Sequence, residues 1–394
     1  MISILVVDDT ILYRKLVSDI AAGLPGLRVV GTAPNGKIAL SRIAMLKPDL
    51  VTLDVEMPEM NGIEVLEAAR EAGMPSAFLM VSALTTKGAE LSLRAIELGA
   101  LDAVAKPDGK ARSRESFELE LRIQFESFAR RQEIRKILGG RGAKASAAPG
   151  ATGAPQAPAT PTESGARLAE ARPAFAAAPG GATSPDAAPR AAASPPSTRS
   201  KRPPCEIVAI GISTGGPAAL LELIPSLPAE LPVPILIVQH MPAFFTASLA
   251  NSLELRGRLR CKEGENGEVL KPGIVYIAPG GRHMRVDLGA DATTKLLRVT
   301  DDPPENQCRP SVDYLFRSVA RHYYGRALAL VMTGMGEDGA SAAGDIKRAG
   351  GFVLAQDEES SVVWGMPGAT VARGFADAVL PLRDLAGEIV ARLS

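Results

Sequence analysis

The stretch Cys205-Glu-Ile-Val-Ala-Ile-Gly-Ile-Ser-Thr-Gly-Gly-Pro217 decides how the second half of this chain is read. Ile207 to Ile212 is an apolar, partly β-branched run of the length expected for a buried strand. It ends at Gly211-Ile212-Ser213-Thr214-Gly215, a Gly-x-Ser-x-Gly pattern. Ala218-Ala-Leu-Leu-Glu-Leu-Ile224 then reads as a helix, with Pro217 suited to its first turn. A serine on a tight strand-to-helix turn has its hydroxyl lifted off the end of the sheet. The glycines let a substrate and a base approach it, and the helix N-terminus favours developing negative charge. A turn of this kind can also cradle a phosphate or simply reverse the chain, so the rest of the sequence has to decide.

Residues 205–394 read as an α/β domain. The expected strands are Ile207–Ile212, Ile235–Gln239, Ile274–Ala278, Met284–Leu288, Leu296–Val299, Ala327–Thr333 and Phe352–Gln356. Ile274–Ala278 and Met284–Leu288 flank Pro279-Gly-Gly-Arg282, which predicts a hairpin there and a mixed, mostly parallel sheet. Residues 1–125 also alternate strand and helix signals, as a doubly wound α/β domain does. Their expected strands are Ser3–Val7, Arg28–Ala33, Leu50–Leu53, Ala77–Ser82 and Ala103–Ala105. Between the domains, 126–204 reads as a helix extension followed by a flexible linker. From Gly139 to Pro204 the composition falls to Ala, Pro, Gly, Ser and Thr, too poor in bulky apolar groups to offset ordering entropy.

Composition narrows the function classes. Lys+Arg and Asp+Glu are equal at 44 each, so there is no electrostatic case for nucleic acid or an anionic membrane. The three cysteines, Cys205, Cys261 and Cys308, are widely spaced and form no C-x-x-C pattern. That argues against a disulfide framework or a zinc site and for a reducing cytoplasm. The apolar run at the N-terminus is short and has no basic flank, unlike a signal peptide, and no stretch is apolar enough to span a bilayer.

In the first domain, Asp8 and Asp9 follow the first strand, Asp54 ends the third, Ser82 ends the fourth and Lys106 follows the fifth. The carboxyl ends of parallel strands converge on one edge, where ligands bind. Three carboxylates together repel unless a hard cation sits among them, and Mg²⁺ takes such oxygen ligands. A lysine and a hydroxyl at that edge could hold a phosphoryl group. Singly, the aspartates would suit a helix start and the lysine a solvated surface; the ordered set at strand ends speaks against that. The constellation resembles the receiver domain of response regulators. The resemblance implies that Asp54 is the phospho-acceptor, that Asp8 and Asp9 hold Mg²⁺ with it, and that Ser82 and Lys106 contact the phosphoryl oxygens. Receivers often carry an aromatic switch residue three positions before the lysine; here Ala103 stands there, which implies signalling without an aromatic rotamer change.

A nucleophilic serine needs a base, and the base an orienting acceptor. His240 ends the strand Ile235–Gln239 and would emerge beside Ser213 if the two strands are parallel neighbours, which makes it the preferred base. His283 follows the expected turn and could also reach a site; His322 lies in a helical pattern and reads as a helix-face residue. Asp338, in Thr333-Gly-Met-Gly-Glu-Asp-Gly339, is the preferred acid, with Glu337 and Asp357 as alternatives and helix capping as its structural use. The backbone around Gly334-Met335-Gly336 could present N–H groups to an oxyanion. Together these motifs closely resemble the catalytic domain of the CheB family, the chemotaxis protein-glutamate methylesterases and glutamine deamidases. The resemblance implies Ser213 as nucleophile, His240 as base, Asp338 as its orienter, and Thr214 and Met335 at the oxyanion site, with no cofactor for the esterase. It also implies methylated chemoreceptor cytoplasmic domains and a CheA-type histidine kinase as partners, and a receiver that covers the Ser213 edge until Asp54 is phosphorylated.

Three rival readings make different demands. A DNA-binding regulator would need a basic patch and a helix-turn-helix, and neither is evident. A nucleotide-binding output domain would use the Gly215-Gly216 turn, but the Walker lysine and the dinucleotide spacing are missing. A related serine hydrolase acting on a different protein ester or amide would share every motif.

Overall fold

The computed structural model describes residues 1–108, 113–144 and 204–393; the Ala/Pro-rich stretch between 145 and 203 lies outside the described residues. The first domain runs β1 (Ile2–Val7), α1 (Ile11–Ala22), β2 (Leu27–Ala33), α2 (Gly36–Leu46), β3 (Leu50–Asp54), α3 (Gly62–Glu71), β4 (Ala77–Ser82), α4 (Thr86–Glu97), β5 (Asp102–Ala105) and α5 (Arg114–Lys144). Its five strands are parallel in the order β2-β1-β3-β4-β5. Strands β1 and β3 are apolar almost throughout because helices cover both faces of the sheet. Local chemistry sets the helix starts: Asn61 and Glu64 form a reciprocal capping box at α3. Helix α5 lays Phe117, Leu121, Phe125 and Phe128 into the core over β1 and β4.

The second domain continues with β6 (Ile207–Ile212), α6 (Gly216–Leu223), β7 (Ile235–Gln239), α7 (Phe245–Arg256), β8 (Arg260–Glu263), β9 (Ile274–Ile277), β10 (His283–Leu288) and β11 (Lys295–Thr300). It ends with α8 (Val312–Tyr323), β12 (Ala327–Val331), α9 (Ala340–Arg348), β13 (Phe352–Gln356), α10 (Met366–Ala372), β14 (Ala378–Leu380) and α11 (Leu382–Leu393). Seven strands form one sheet in the order β14-β13-β12-β6-β7-β9-β8.

The expected α/β domain with mostly parallel strands and a hairpin stands, but the hairpin does not lie at Pro279–Arg282 and the large sheet is not mixed. Every pairing in the seven-stranded sheet is parallel. Strand β9 lies between β7 and β8, and the hairpin is β10–β11, a separate two-stranded antiparallel sheet. The physical reason lies in the side chains. Val275, Tyr276 and Ile277 are all buried, as a strand covered on both faces requires. Strand β10 instead is flanked by partly exposed positions, and its true turn is closed by Asp291 Oδ1, which accepts from the Thr293 and Thr294 amides at 3.0 and 2.9 Å. The Pro279–Arg282 segment is tied elsewhere, through the Gly280 amide donating to Thr246 Oγ1 at 2.9 Å. Strands β8 and β14, short and polar or exposed, carry little periodic signal and were not anticipated from the sequence. Among the described residues no helix is long and apolar enough to cross a membrane.

The two domains share apolar surface. Leu93 and Ile96 of α4 belong to the same buried cluster as Leu220 and Leu223 of α6 and Leu249 of α7, with Ala103 packed against it. At the rim Arg256 pairs with Glu97 at 3.2 Å, and Arg130 with Glu358 at 2.7 Å.

Candidate active site

In the large sheet β6 is flanked by β12 and β7, and the chain turns to opposite sides of it, so the carboxyl ends of these three strands form a topological switch point. Ser213 follows β6, His240 follows β7, and Asp338 lies on the loop between β12 and α9. The edge is stitched by backbone bonds: Ser213 N–H donates to Thr333 O at 2.9 Å, and His240 N–H to Ile212 O at 3.1 Å. Two glycines make this closeness possible. Gly215 has φ 76°, the left-handed region, and a Cβ there would lie 2.3 Å from a Val362 methyl. A Cβ on Gly334 would lie 2.4 Å from Met366 Sδ and 2.7 Å from Ser213 Cβ.

His240 Nε2 and Asp338 Oδ2 are 2.9 Å apart, with the imidazole 15% and the carboxylate 4% exposed. Asp338 is held from every side by the start of α8. Its Oδ1 accepts from Ser311 Oγ at 2.8 Å, Asn306 Nδ2 at 2.8 Å and the Asp313 amide at 3.2 Å. Its Oδ2 also accepts from the Val312 amide at 2.6 Å. Burial opposes ionisation of Asp338, but the hydrogen bonds from His240, Asn306 and Val312 outweigh it and hold the carboxyl at about 2. Burial likewise opposes protonation of His240. The contacts with Asp338 and Cys308 prevail, and its pKa rises to about 10. The other imidazole nitrogen, Nδ1, faces Cys308 Sγ at 3.8 Å. Among the described residues Ser213 Oγ makes no hydrogen bond, and the amides of Thr214 and Met335 are engaged by no acceptor. Met335 is exposed, while its neighbour Gly334 donates to Val363 O.

The remaining candidates sit elsewhere. His283 is fully buried, stacks on Tyr314, donates from Nε2 to Pro303 O and accepts the Ser311 amide at Nδ1, so it supports the loop that carries α8. His322 is in the last turn of α8. Glu337 turns to solvent and pairs with Arg373, and Asp357 caps its own turn through Ser360. Sequence reading missed Asn306, Cys308 and Ser311. Of these only Ser311, an N-cap two residues before Asp313, carries a readable local signature.

A cavity of about 40 Å³ lies against Ser213, Thr214, Pro217 and His240, and its far wall is the first domain: Asp102, Ala103, Ala105 and Glu120. The buried Asp102 carboxylate crosses the boundary, its Oδ2 accepting the Gly215 amide at 2.8 Å and Gln124 Nε2 at 2.7 Å.

The first domain has its own switch point between β1 and β3. Asp8 and Asp54 are each 2% exposed, and Asp9 is exposed beside them. Lys106 Nζ bridges Asp8 Oδ2 and Asp54 Oδ2 at 2.7 Å each, 4.7 Å from the centroid of the Tyr13 ring. Burial, only partly offset by Lys106, pushes the Asp54 carboxyl up to about 6 and raises that of Asp8. Carboxylate oxygens of Asp8, Asp9 and Asp54 come within 4.8 Å of one another. Three carboxylates against one ammonium, with oxygen donors alone, fit a divalent hard cation. Ser82 is buried at the end of β4, where its carbonyl accepts the Lys106 amide at 2.7 Å.

A family model described as CheB methylesterase matches residues 208–389, and one described as response regulator receiver domain matches residues 4–118. The protein-glutamate methylesterase/protein-glutamine glutaminase of Desulfotalea psychrophila is 42% identical over 387 residues, 98% of this chain and 97% of its own length. That of a Nocardioides species is 42% identical over 396 residues, 100% of this chain and 96% of its own. The crystal structure of the Thermotoga maritima CheB methylesterase catalytic domain is 41% identical, covers 48% of this chain and 98% of that one, and superposes with a TM-score of 0.46.

Proposed function

Because the chain belongs to the CheB family of receiver-regulated protein-glutamate methylesterases/protein-glutamine glutaminases, we propose that Ser213, His240 and Asp338 are its nucleophile, general base and orienting acid. The enzyme hydrolyses glutamyl methyl esters, and the amides of glutamines, on chemoreceptors under the control of its receiver domain. The observation that carries the residue assignment is the convergence of the three side chains on one edge, at the ends of β6 and β7 and beyond β12.

Ser213 Oγ attacks the ester carbonyl as His240 takes its proton, and the tetrahedral oxyanion forms against the unengaged amides of Thr214 and Met335. The C–O bond to the methoxy group breaks, His240 returns the proton, and methanol leaves. Water then attacks the acyl-serine, His240 again accepting a proton, and glutamate and free Ser213 result. With glutamine the leaving group is ammonia. Asp338 holds Nε2, so the ring must present Nδ1 to the serine. In the closed arrangement that nitrogen faces Cys308, and a serine–base contact would replace it.

The fold supports residues 1–125 as the receiver and 205–394 as the catalytic domain, with 126–204 joining them. Asp54 would accept the phosphoryl group, Asp8 and Asp9 would help it hold Mg²⁺, and Ser82 and Lys106 would face the phosphoryl oxygens. A bound cation would supply charge neutralisation for phosphoryl transfer, and the serine mechanism calls for no cofactor. A histidine kinase of the CheA type would phosphorylate Asp54, and methylated receptor cytoplasmic domains would be the substrates, both encountered in the cytoplasm. Receiver residues lining the Ser213 cavity support occlusion of the site in the unphosphorylated state. The test is methanol release from methylated chemoreceptor membranes: it should vanish in Ser213→Ala, and persistence there would remove Ser213 from the mechanism.

A further inference from the structure

A charged side chain of the receiver hydrogen-bonds the nucleophile turn. Asp102 opens β5, is 6% exposed, and sits four residues before Lys106, which follows that strand. Its Oδ1 accepts the Ala103 amide at 2.9 Å, and its Oδ2 accepts Gln124 Nε2 from α5 at 2.7 Å. The other donor to Oδ2 belongs to the catalytic domain: the Gly215 amide, at 2.8 Å, two residues past Ser213 and at the N-terminus of α6. Burial raises the carboxyl's pKa, and the hydrogen bonds from Gly215, Ala103 and Gln124, all of which donate to its oxygens, oppose that shift.

Resting on Ser213 as nucleophile, we infer that Asp102 is the receiver's inhibitory contact, a carboxylate that occupies the Gly215 amide as an internal competitor of the substrate. The apolar surface between α4 and the α6–α7 face is non-directional and would tolerate sliding. A buried charged hydrogen bond fixes distance and register, and it is placed where an acyl group must enter beside Ser213 and Thr214. The strand itself links the two edges. Lys106, just past the other end of β5, bridges Asp8 and Asp54, so rearrangement around a phosphorylated Asp54 would pull on the element that carries Asp102.

An internal competitor has a kinetic signature. It withholds the binding-competent state, so it raises apparent KM and leaves kcat at saturating substrate alone. A hydrogen bond to a charged group contributes on the order of 1.5–3 kcal/mol, roughly 10- to 100-fold in the closed–open equilibrium. The experiment uses the unphosphorylated full chain and methylated receptor membranes, comparing wild type, Asp102→Ala and Asp102→Asn, with Ser213→Ala alongside. Asp102→Ala should lower KM about tenfold or more, keep kcat, and shrink the stimulation obtained with a small acyl phosphate. Asp102→Asn keeps an acceptor for Gly215 but loses the charge, and should fall between. Phosphorylation of Asp54 by the acyl phosphate reports that each variant's receiver is folded, and if Asp102→Ala fails that check, Asp102→Asn carries the test. An unchanged KM in a variant that still phosphorylates would overturn the inference, whereas activity in Ser213→Ala would overturn the nucleophile assignment instead.

Discussion

Two parallel sheets in this chain carry their polar side chains at the same edge, the carboxyl ends of the strands, and they differ in how that edge treats charge. In the receiver, Asp8 and Asp54 share a single lysine, and burial pushes Asp54 up to about 6. In the catalytic domain one carboxylate, Asp338, collects donors from Ser311, Asn306, two backbone amides and His240, and stays near 2. The first edge is under-compensated, and its acidic cluster fits a divalent cation. The second is over-determined and holds an imidazole in one orientation. The same doubly wound scaffold therefore yields a switch or a hydrolase according to where its donors are placed.

The sharpest way to break this contrast is to remove one member from each edge. Ser213→Ala should lower methanol release on the order of 10⁴-fold or more, whereas Asp54→Asn should leave the unphosphorylated rate unchanged and abolish only its stimulation. Asp338→Asn comes next, with a loss of about 10⁴-fold in kcat by analogy with other triads; steady-state kinetics at saturating receptor would show it. A loss under tenfold would mean that His240 is oriented by something else. Gly334→Ala should cost about 1–3 kcal/mol of stability by overpacking, because its new methyl meets Met366 and Ser213. Thermal melts would reveal this, and an unchanged Tm would show that the β12 loop can yield.

The pH dependence sharpens the comparison further. His240 has its pKa raised from 6.5 to about 10, so its pairing stabilises the fold fully below about 6.5 and is lost as pH rises through 10. Asp338 is depressed from 3.8 to about 2, so its share is present above about 3.8 and is lost as pH falls through 2. The Tm difference between wild type and His240→Gln should therefore be largest between about pH 4 and 6.5 and shrink toward pH 10. Hydrolysis by the unphosphorylated enzyme should keep rising above neutrality, since the base works only when unprotonated. The smallest effect on hydrolysis is expected from Lys106→Met. It should instead destabilise the receiver by leaving Asp8 and Asp54 unpaired, with Mg²⁺ restoring the melt.

The strands that carry Ser213 and His240 were legible because each is a short, unbroken run of apolar residues; Ile207–Ile212 and Ile235–Gln239 are read to the residue, as is Phe352–Gln356. The hairpin was misplaced because Pro-Gly-Gly looks like a hairpin turn whatever it connects, and only pairing partners distant in sequence reveal that β9 belongs to the large sheet. The support of Asp338 was invisible for a similar reason: Asn306 and Ser311 reach it across a loop of irregular backbone, with Asn306 itself at positive φ. Asp102 was hidden because a strand-opening aspartate in one domain says nothing about the amide it meets in another.

Control of the serine edge by the receiver edge can be measured on the intact chain. The most direct measurement is methanol release from methylated receptor membranes by the full chain, before and after treatment with a small acyl phosphate and Mg²⁺, in wild type and Asp54→Asn. The rate should rise for wild type and not for Asp54→Asn, with both silent once Ser213 is replaced by alanine. Equal rates before and after phosphorylation of a wild-type chain that carries the phosphoryl group would contradict that control.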